Sequence, residues 1–283
     1  MSFLEDVQLV AGELERYRRE SISGAPPVVR QAPMAEVIET LGLQAHLENG
    51  GLAGEAFAKF IRHYLELAVR LHHPGSLAHQ VAAPHPAASL AMLVEGATNN
   101  PMAIYEMGPA AASIEAFLVD WLISKVGWSA HAGGVFTHGG SLANLTALVA
   151  ARSRFDGAIW RRGCRGDLAL IASADCHYSV ARAAGILGIG EENVYALAVD
   201  SAGAVIPAEI GGVIERARDE GKRPFALVAN ACSTATGVFD PLRAIAGICR
   251  DHGLWLHVDG AHGASALLSQ RHRWRHDPRR LHR

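Results

Sequence analysis

The sequence predicts an α/β fold in which helices cover both faces of a mostly parallel β-sheet, preceded by N-terminal helices. After Gly127, short and almost continuously apolar runs alternate with segments of helical periodicity, as expected for strands buried on both faces. Before Gly127 the apolar residues have helical spacing. With 283 residues, of which 49% are hydrophobic and 19% charged, the chain is long and apolar enough for such a core.

Helical periodicity predicts five helices in the first part of the chain, and Gly and Pro clusters end several of them. These helices are expected at residues 3–19, 34–41, 54–71, 87–99 and 109–126. Residues 77–86 have no period, so we predict an ordered loop there. Ordered loops often line binding sites, and this one contains His79 and Gln80.

Five strands and four intervening helices are predicted in the second part. The strands are expected at 134–137, 167–172, 193–197, 225–229 and 254–258, and the helices at 141–155, 179–187, 207–220 and 241–251. Ligands of parallel sheets bind beyond the carboxyl ends of the strands. We therefore expect the segments that follow four of the strands to meet in one crevice, namely 138–141, 175–177, 231–234 and 259–261.

Charge and cysteine content limit the possible partners. The net charge of −2 gives no electrostatic basis for binding nucleic acid or an acidic membrane, so a small molecule is the expected partner. Four cysteines without CxxC spacing predict reduced thiols and a cytoplasmic protein. No apolar run approaches the roughly 18 residues that span a bilayer, and we expect no membrane segment.

Asp259 follows a buried strand, where a carboxylate needs a cation or a hydrogen-bond donor opposite it. The protonated ring nitrogen of pyridoxal phosphate would serve, and the alternative is an Asp that caps the following turn. Gly139, Gly140 and Ser141 form a turn before a helix, which is how backbone N–H groups cradle a phosphate. The alternative there is an ordinary Ser cap of the helix. Together the two features suggest pyridoxal phosphate.

His177 and Thr234 follow two other strands. The flat imidazole of His177 could lie on an aromatic cofactor ring, or it could be a buried structural histidine. The hydroxyls of Ser233 and Thr234 could face the cofactor, or they could serve turn chemistry.

These segments, in this order, resemble the pyridoxal-phosphate-dependent group II amino acid decarboxylases, which include glutamate, aromatic amino acid and 2,4-diaminobutyrate decarboxylases. The resemblance covers roughly residues 71–268. It implies the large domain of the aspartate-aminotransferase type (fold type I), with decarboxylation of an amino acid as the activity. The motifs that carry it are His73-Pro74, Pro109-Ala110-Ala111, Gly139-Gly140-Ser141, Asp175-Cys176-His177-Tyr178-Ser179, Ser233-Thr234, Gly237-Val238-Phe239-Asp240-Pro241-Leu242 and His257-Val258-Asp259-Gly260-Ala261.

The resemblance implies a role for each matching residue. The turn 139–141 would hold the phosphate, His177 would stack on the ring, and Asp259 would pair with the pyridine nitrogen. His177 and Asp259 are thus the expected catalytic residues. Thr234 would lie near the phenolic side of the ring, and Ala261 would pack beneath the cofactor.

The resemblance also implies a homodimer. The N-terminal helices would embrace a second subunit, the site would lie at the dimer interface, and the loop with His79 and Gln80 would face the substrate. We expect a helical arm at 1–75, an incomplete cofactor-binding domain at 76–268 and a basic tail at 269–283. Which amino acid is the substrate stays open.

The Schiff-base lysine of that family has no counterpart in this sequence. Its only lysines are Lys59, Lys125 and Lys222, and none matches the family's motif. After Leu268 the resemblance fades, so we expect a truncated member that lacks the small C-terminal domain. Because the lysine normally anchors the cofactor and moves protons, we expect little or no turnover.

Other interpretations remain at this point. An aminotransferase uses the same fold, and a non-catalytic cofactor-binding or dimerisation fragment would fit the missing lysine. His257, Asp259 and His262 could form a metal site, although no known metal motif accompanies them. The basic tail could touch nucleic acid, but a solvated chain end is favoured.

Overall fold

The computed structural model describes residues 2–77, 79–129 and 131–273. The chain forms two compact units, Met1–Pro101 and Met102–Arg283. The predicted boundaries at residues 75 and 268 stay predictions, and residues 274–283 of the expected basic tail lie outside the described residues. Of the helices in the described part, none has both the length and the apolar character needed to cross a membrane.

The first unit is helical. A capping box of Ser2 and Glu5 starts its first helix, because each side chain accepts a backbone N–H of the other residue. Arg70, only 6% exposed, anchors that helix by donating to the Tyr17 carbonyl and the Ser21 hydroxyl. The helices are α1 Phe3–Ser23, α2 Met34–Leu41, α3 Leu43–Glu48, α4 Gly54–Leu67 and α5 Pro86–Thr98. The short α3 was not predicted, and α4 ends before residue 71.

The second unit is a parallel sheet with helices. In the described part of this unit the sheet has four strands in the order β2-β1-β3-β4, and every neighbouring pair is parallel. The strands are β1 Leu168–Ser173, β2 Val194–Leu197, β3 Arg223–Asn230 and β4 Trp255–Asp259. The helices are α6 Pro109–Val126, α7 Gly140–Phe155, α8 Ile159–Arg162, α9 Ser179–Ile186, α10 Ile210–Asp219 and α11 Leu242–His252.

Helices cover both faces of this sheet, as predicted. On one face Leu170 of β1 belongs to the same buried cluster as Leu148 of α7 and Val180 of α9. On the other face the next residue, Ile171, belongs to a cluster with residues of α10 and α11. Successive side chains of a strand point to opposite faces, so a strand covered on both sides is apolar throughout.

The predicted strand at 134–137 is wrong. No residue of this segment belongs to a ladder in the described chain, and Val135 and Phe136 are 61% and 51% exposed. The Phe136 N–H instead donates to the Glu115 carboxylate at 2.9 Å. A strand exists only beside a partner, and the apolar pattern alone does not reveal whether a partner is present.

Candidate active site

The candidate site lies at the carboxyl ends of the parallel strands. Asp259 is the last residue of β4 and pairs in register with Asn230, the last residue of β3. The Ala231 N–H donates to the Asp259 carbonyl at 2.7 Å, which continues the ladder by one bond. The main chain of β3 therefore fixes where the Asp259 carboxylate stands.

The Asp259 carboxylate is buried, with 9% of the residue exposed, and it accepts hydrogen bonds on both oxygens. Oδ1 accepts the Ala261 N–H at 3.0 Å, which is the turn cap that the sequence allowed as an alternative. Oδ2 accepts an amide hydrogen of Asn144 at 2.8 Å. Asp259 thus caps the turn with one oxygen and binds a side chain of α7 with the other.

Asn144 links three other residues of the site, although the sequence analysis gave it no role. Its amide donates to the Asp259 carboxylate and to the Ser179 hydroxyl, the latter at 2.9 Å. Its Oδ1 lies 2.8 Å from Nε2 of His257. Asn144 is 3% exposed and shares the buried side of α7 with Leu148. A polar residue on the apolar face of a helix is the signal that could have found it.

Ser179 connects this network to His177. Nδ1 of His177 lies 2.8 Å from the Ser179 hydroxyl and 3.3 Å from the Ser179 backbone nitrogen. The centroid of the imidazole lies 4.1 Å from that of the Tyr178 ring. The structure therefore brings His177 and Asp259 to opposite ends of a chain of hydrogen bonds through Ser179 and Asn144.

The turn that contains Gly139 and Gly140 packs against Ala261, two residues after Asp259. Gly139 has φ +92°, a conformation that favours glycine, and the space where its Cβ would stand is open. A Cβ on Gly140 would stand 2.7 Å from the Cβ of Ala261. Gly139, rather than Ser141, is the residue that precedes α7, and no side chain of the described residues caps this helix end. The first N–H groups of α7 are therefore available to an anion.

These residues fit pyridoxal phosphate. The uncapped start of α7 suits a phosphate, and the Gly140 position excludes a side chain. A buried carboxylate and an imidazole lie within the same connected group of residues. Ser233 adds a buried hydroxyl that has no hydrogen-bond partner within the described chain.

The structure also locates the three remaining predicted site residues, Thr234, His79 and Gln80. Thr234 is exposed in the segment that follows β3, at the carboxyl end of the strands, where Asp259 also lies. His79 and Gln80 are exposed residues of the first unit with positive φ angles of 66° and 51°. Their role toward a substrate stays a prediction.

The three lysines have other surroundings. Nζ of Lys222 donates to the Gly166 carbonyl at 3.1 Å, immediately before β3 begins. The site lies at the opposite end of β3, which spans roughly 25 Å over its eight residues. Lys125 lies over the Trp121 ring in the last turn of α6, and Lys59 belongs to α4 of the first unit.

Burial changes the acid–base properties of two neighbours of the network. It lowers the pKa of His257 below the ordinary value, against the opposing effect of the Asp259 charge. It raises the pKa of Cys176 to about 11, with the Asp259 charge adding to the shift. Cys176 therefore stays a thiol at neutral pH and is a poor nucleophile. No group of three or more His, Cys, Asp or Glu side chains in the described residues is placed to hold a metal ion.

Comparisons with known proteins point to one family. The model of the pyridoxal-dependent decarboxylase conserved domain matches residues 55–283. The acidic amino acid decarboxylase GADL1 of Mus musculus is 36% identical over 82% of this chain and 42% of its own length. The cysteine sulfinic acid decarboxylase of Rattus norvegicus is 35% identical over 82% of this chain and 47% of its own. The chain thus spans slightly less than half of these relatives.

Solved structures agree with the sequence relatives. The crystal structure of mouse CSAD in its apo form superposes with a TM-score of 0.90 at 32% identity, covering 97% of this chain and 58% of that one. A glutamate decarboxylase domain from Vibrio parahaemolyticus gives a TM-score of 0.85 at 26% identity, covering 98% and 61%. On the family match, the relatives and the shared fold, this chain belongs to the pyridoxal-dependent decarboxylase family.

Proposed function

We propose that this chain is the cofactor-binding part of a pyridoxal-phosphate-dependent amino acid decarboxylase. The observation that carries the proposal is the connected group of Asp259, Asn144, Ser179 and His177 beside the uncapped start of α7. The names of the relatives support decarboxylation over the aminotransferase reaction.

Each residue would have a distinct task. N–H groups of the turn 139–141 would hold the phosphate, and Asp259 would accept a hydrogen bond from the protonated ring nitrogen. His177 would lie against the ring, Thr234 would approach its phenolic side, and Ala261 would support it from below. When bound, the cofactor supplies an electron sink for the carbanion left by loss of carbon dioxide.

We further propose that this chain binds the cofactor without a covalent bond and turns over poorly. Lys222 is held at the far end of β3, and Lys125 lies over Trp121. Among the bonds that the described residues make, neither of these lysines nor Lys59 belongs to the hydrogen-bonded group around Asn144. A decarboxylase needs an amine at the site to hold the cofactor and to move protons.

For the substrate we propose an acidic amino acid. One named relative is an acidic amino acid decarboxylase, and the other acts on cysteine sulfinic acid, which also carries a second acid group. His79 and Gln80 are the proposed substrate-facing residues of this chain. Release of carbon dioxide from aspartate, glutamate and cysteine sulfinic acid, measured side by side with a neutral amino acid, tests this choice.

We propose that the protein acts as a homodimer in the cytoplasm. Apolar side chains on α6 support an interface, because Ile114, Phe117 and Trp121 are exposed. Light scattering on a size-exclusion column gives the mass in solution. A monomer at all concentrations in the presence of cofactor contradicts the homodimer.

The central experiment is a titration of the purified chain with pyridoxal phosphate, followed by absorbance. Asp259→Asn keeps the shape but removes the charge, and we expect at least about tenfold weaker binding, since a hydrogen bond to a charged group contributes roughly 1.5–3 kcal/mol. Asp251→Asn, at an exposed position of α11, is the matched control and should bind like the wild type.

Borohydride treatment tests the missing covalent bond. After reduction and unfolding, we expect the cofactor to separate from the chain, because no lysine is placed to retain it. Cofactor that stays attached would contradict the proposal for the lysines. Equal affinities of the wild type and Asp259→Asn would contradict the proposed site itself.

A further inference from the structure

Each hydrogen bond around Asn144 has a defined donor and a defined acceptor, and these assignments extend through Ser179 to His177. We propose that Asn144 is a positioning residue that, through Ser179, keeps the hydrogen of the neutral His177 ring on Nε2. The roles of donor and acceptor follow from the chemistry of each neighbour, one step at a time.

The first step is the amide of Asn144. An ionised carboxylate can only accept hydrogen bonds, so the group that lies 2.8 Å from Oδ2 of Asp259 must be the amide nitrogen. Oδ1 of Asn144 then faces Nε2 of His257 at 2.8 Å, and this nitrogen must carry a hydrogen. The neighbours thus decide an amide orientation that atomic positions alone leave ambiguous.

The second step is the Ser179 hydroxyl. The other amide hydrogen of Asn144 points to Oγ of Ser179 at 2.9 Å, so this oxygen accepts there. Its own hydrogen is then available to Nδ1 of His177 at 2.8 Å. The backbone N–H of Ser179 also points to Nδ1, at 3.3 Å. Two donors aimed at one nitrogen require that Nδ1 be an acceptor, so the hydrogen of the neutral ring sits on Nε2.

These hydrogen bonds set the orientation of the His177 ring, which would meet the cofactor. Ser179 fixes the rotation of the imidazole by bonding it from both its hydroxyl and its backbone. Nε2–H is left as the donor edge of His177. That this edge faces the cofactor rests on the proposed function, whereas the position of the hydrogen does not.

The test is ¹⁵N NMR of the histidine rings in the ¹⁵N-histidine-labelled chain without cofactor, at alkaline pH where the rings are neutral. His177→Gln identifies the signals of His177 by their loss. In the wild type we expect a bare Nδ1 and a protonated Nε2. Ser179→Ala should lower the ratio of the Nε2–H to the Nδ1–H form roughly fivefold, the effect of one ordinary hydrogen bond.

Asn144→Ala removes the start of the chain of bonds and should shift the ratio in the same direction. Asn193→Ala is the matched control, because Asn193 is also buried but its amide donates to the Ile189 carbonyl outside the network. The control should leave the His177 ratio unchanged. If Asn144→Ala does not fold, Asn144→Asp replaces it, because it keeps the size of the side chain but has no amide hydrogen to donate to Ser179.

A wild-type His177 with its hydrogen on Nδ1 would overturn the inference, and so would an unchanged ratio in Ser179→Ala or in a folded Asn144 variant. These results are independent of cofactor binding. A chain that shows the expected form of His177 but does not bind pyridoxal phosphate contradicts the proposed function and supports the inference. A chain that binds the cofactor with the hydrogen on Nδ1 does the reverse.

Discussion

Gly140→Ala tests the close packing of the glycine turn on the segment after β4. The added Cβ would stand 2.7 Å from the Cβ of Ala261, whereas carbon atoms prefer about 3.5–4.0 Å. About 1 Å of space must therefore open between the start of α7 and residue 261. Overpacking of this kind costs roughly 1–3 kcal/mol, and alanine in a helix returns up to about 1 kcal/mol. We expect a net loss of about 1–2 kcal/mol in the free energy of unfolding.

A second substitution identifies the cause of that loss. Ala261→Gly removes the atom that the new Cβ would meet, so the double variant should regain most of the stability that Gly140→Ala loses. The coupling free energy of the double-mutant cycle should be about 1–3 kcal/mol. Urea unfolding followed by circular dichroism measures all four proteins.

Gly212→Ala is the control for the intrinsic effect of the exchange. Gly212 lies in α10, and no atom of the described residues comes within 4 Å of the position its Cβ would take, so alanine should stabilise the protein by up to about 1 kcal/mol. A Gly140→Ala variant as stable as the wild type would refute the reasoning. A coupling free energy near zero would show that Ala261 is not the obstacle.

Three further predictions concern ionisable groups. Burial lowers the pKa of His257, so the unfolded chain takes up a proton before the folded chain as the pH falls through about 6.5, and the free energy of unfolding decreases. In urea unfolding, His257→Gln should therefore lose less free energy of unfolding than the wild type between neutral and mildly acid pH. Arg70→Ala should cost roughly 2–4 kcal/mol in thermal or urea unfolding, since it leaves the Tyr17 and Ser21 oxygens without their charged donor. Exposed Arg19→Ala should stay within about 0.5 kcal/mol, and equal effects would contradict the anchoring role of Arg70. Burial raises the pKa of Cys176 and of Cys249 to about 11. Both thiols should therefore react slowly with iodoacetamide at neutral pH until urea unfolds the chain, as measured by mass spectrometry. Rapid labelling of the folded protein would contradict this.

The sheet and most helices could be predicted because their periodicity depends on local burial. The α2 and α6 boundaries agree with the predicted residues, and β1 to β4 lie at four of the five predicted strands. The strand prediction at 134–137 was wrong because a strand does not depend on the local pattern alone. The apolar residues of this segment satisfy the strand pattern, but a strand also depends on a neighbour that the local sequence does not contain.

The site could be predicted only where a residue stands next to a strand end. That rule selected His177 and Asp259, which the structure joins through hydrogen bonds. It missed Asn144, because this residue lies one turn inside α7 and its importance depends on which side of the helix meets β4. Such a contact arises from tertiary packing, and a linear pattern shows only that a polar residue shares a face with Leu148.

The bond between the Ala231 N–H and the Asp259 carbonyl has a consequence for how the protein fluctuates. It extends the ladder of β3 and β4, so the backbone at Asp259 can be released only by an opening that separates these two strands. Within the described residues β4 is the edge strand of the sheet, so separating it from β3 should cost less than separating β1 from β3 and more than opening a loop or a chain end. The Ala231 amide should therefore exchange its hydrogen more slowly than the amides of loops but faster than those that join β1 to β3, so the position of the acid is coupled to the docking of β4 on the sheet.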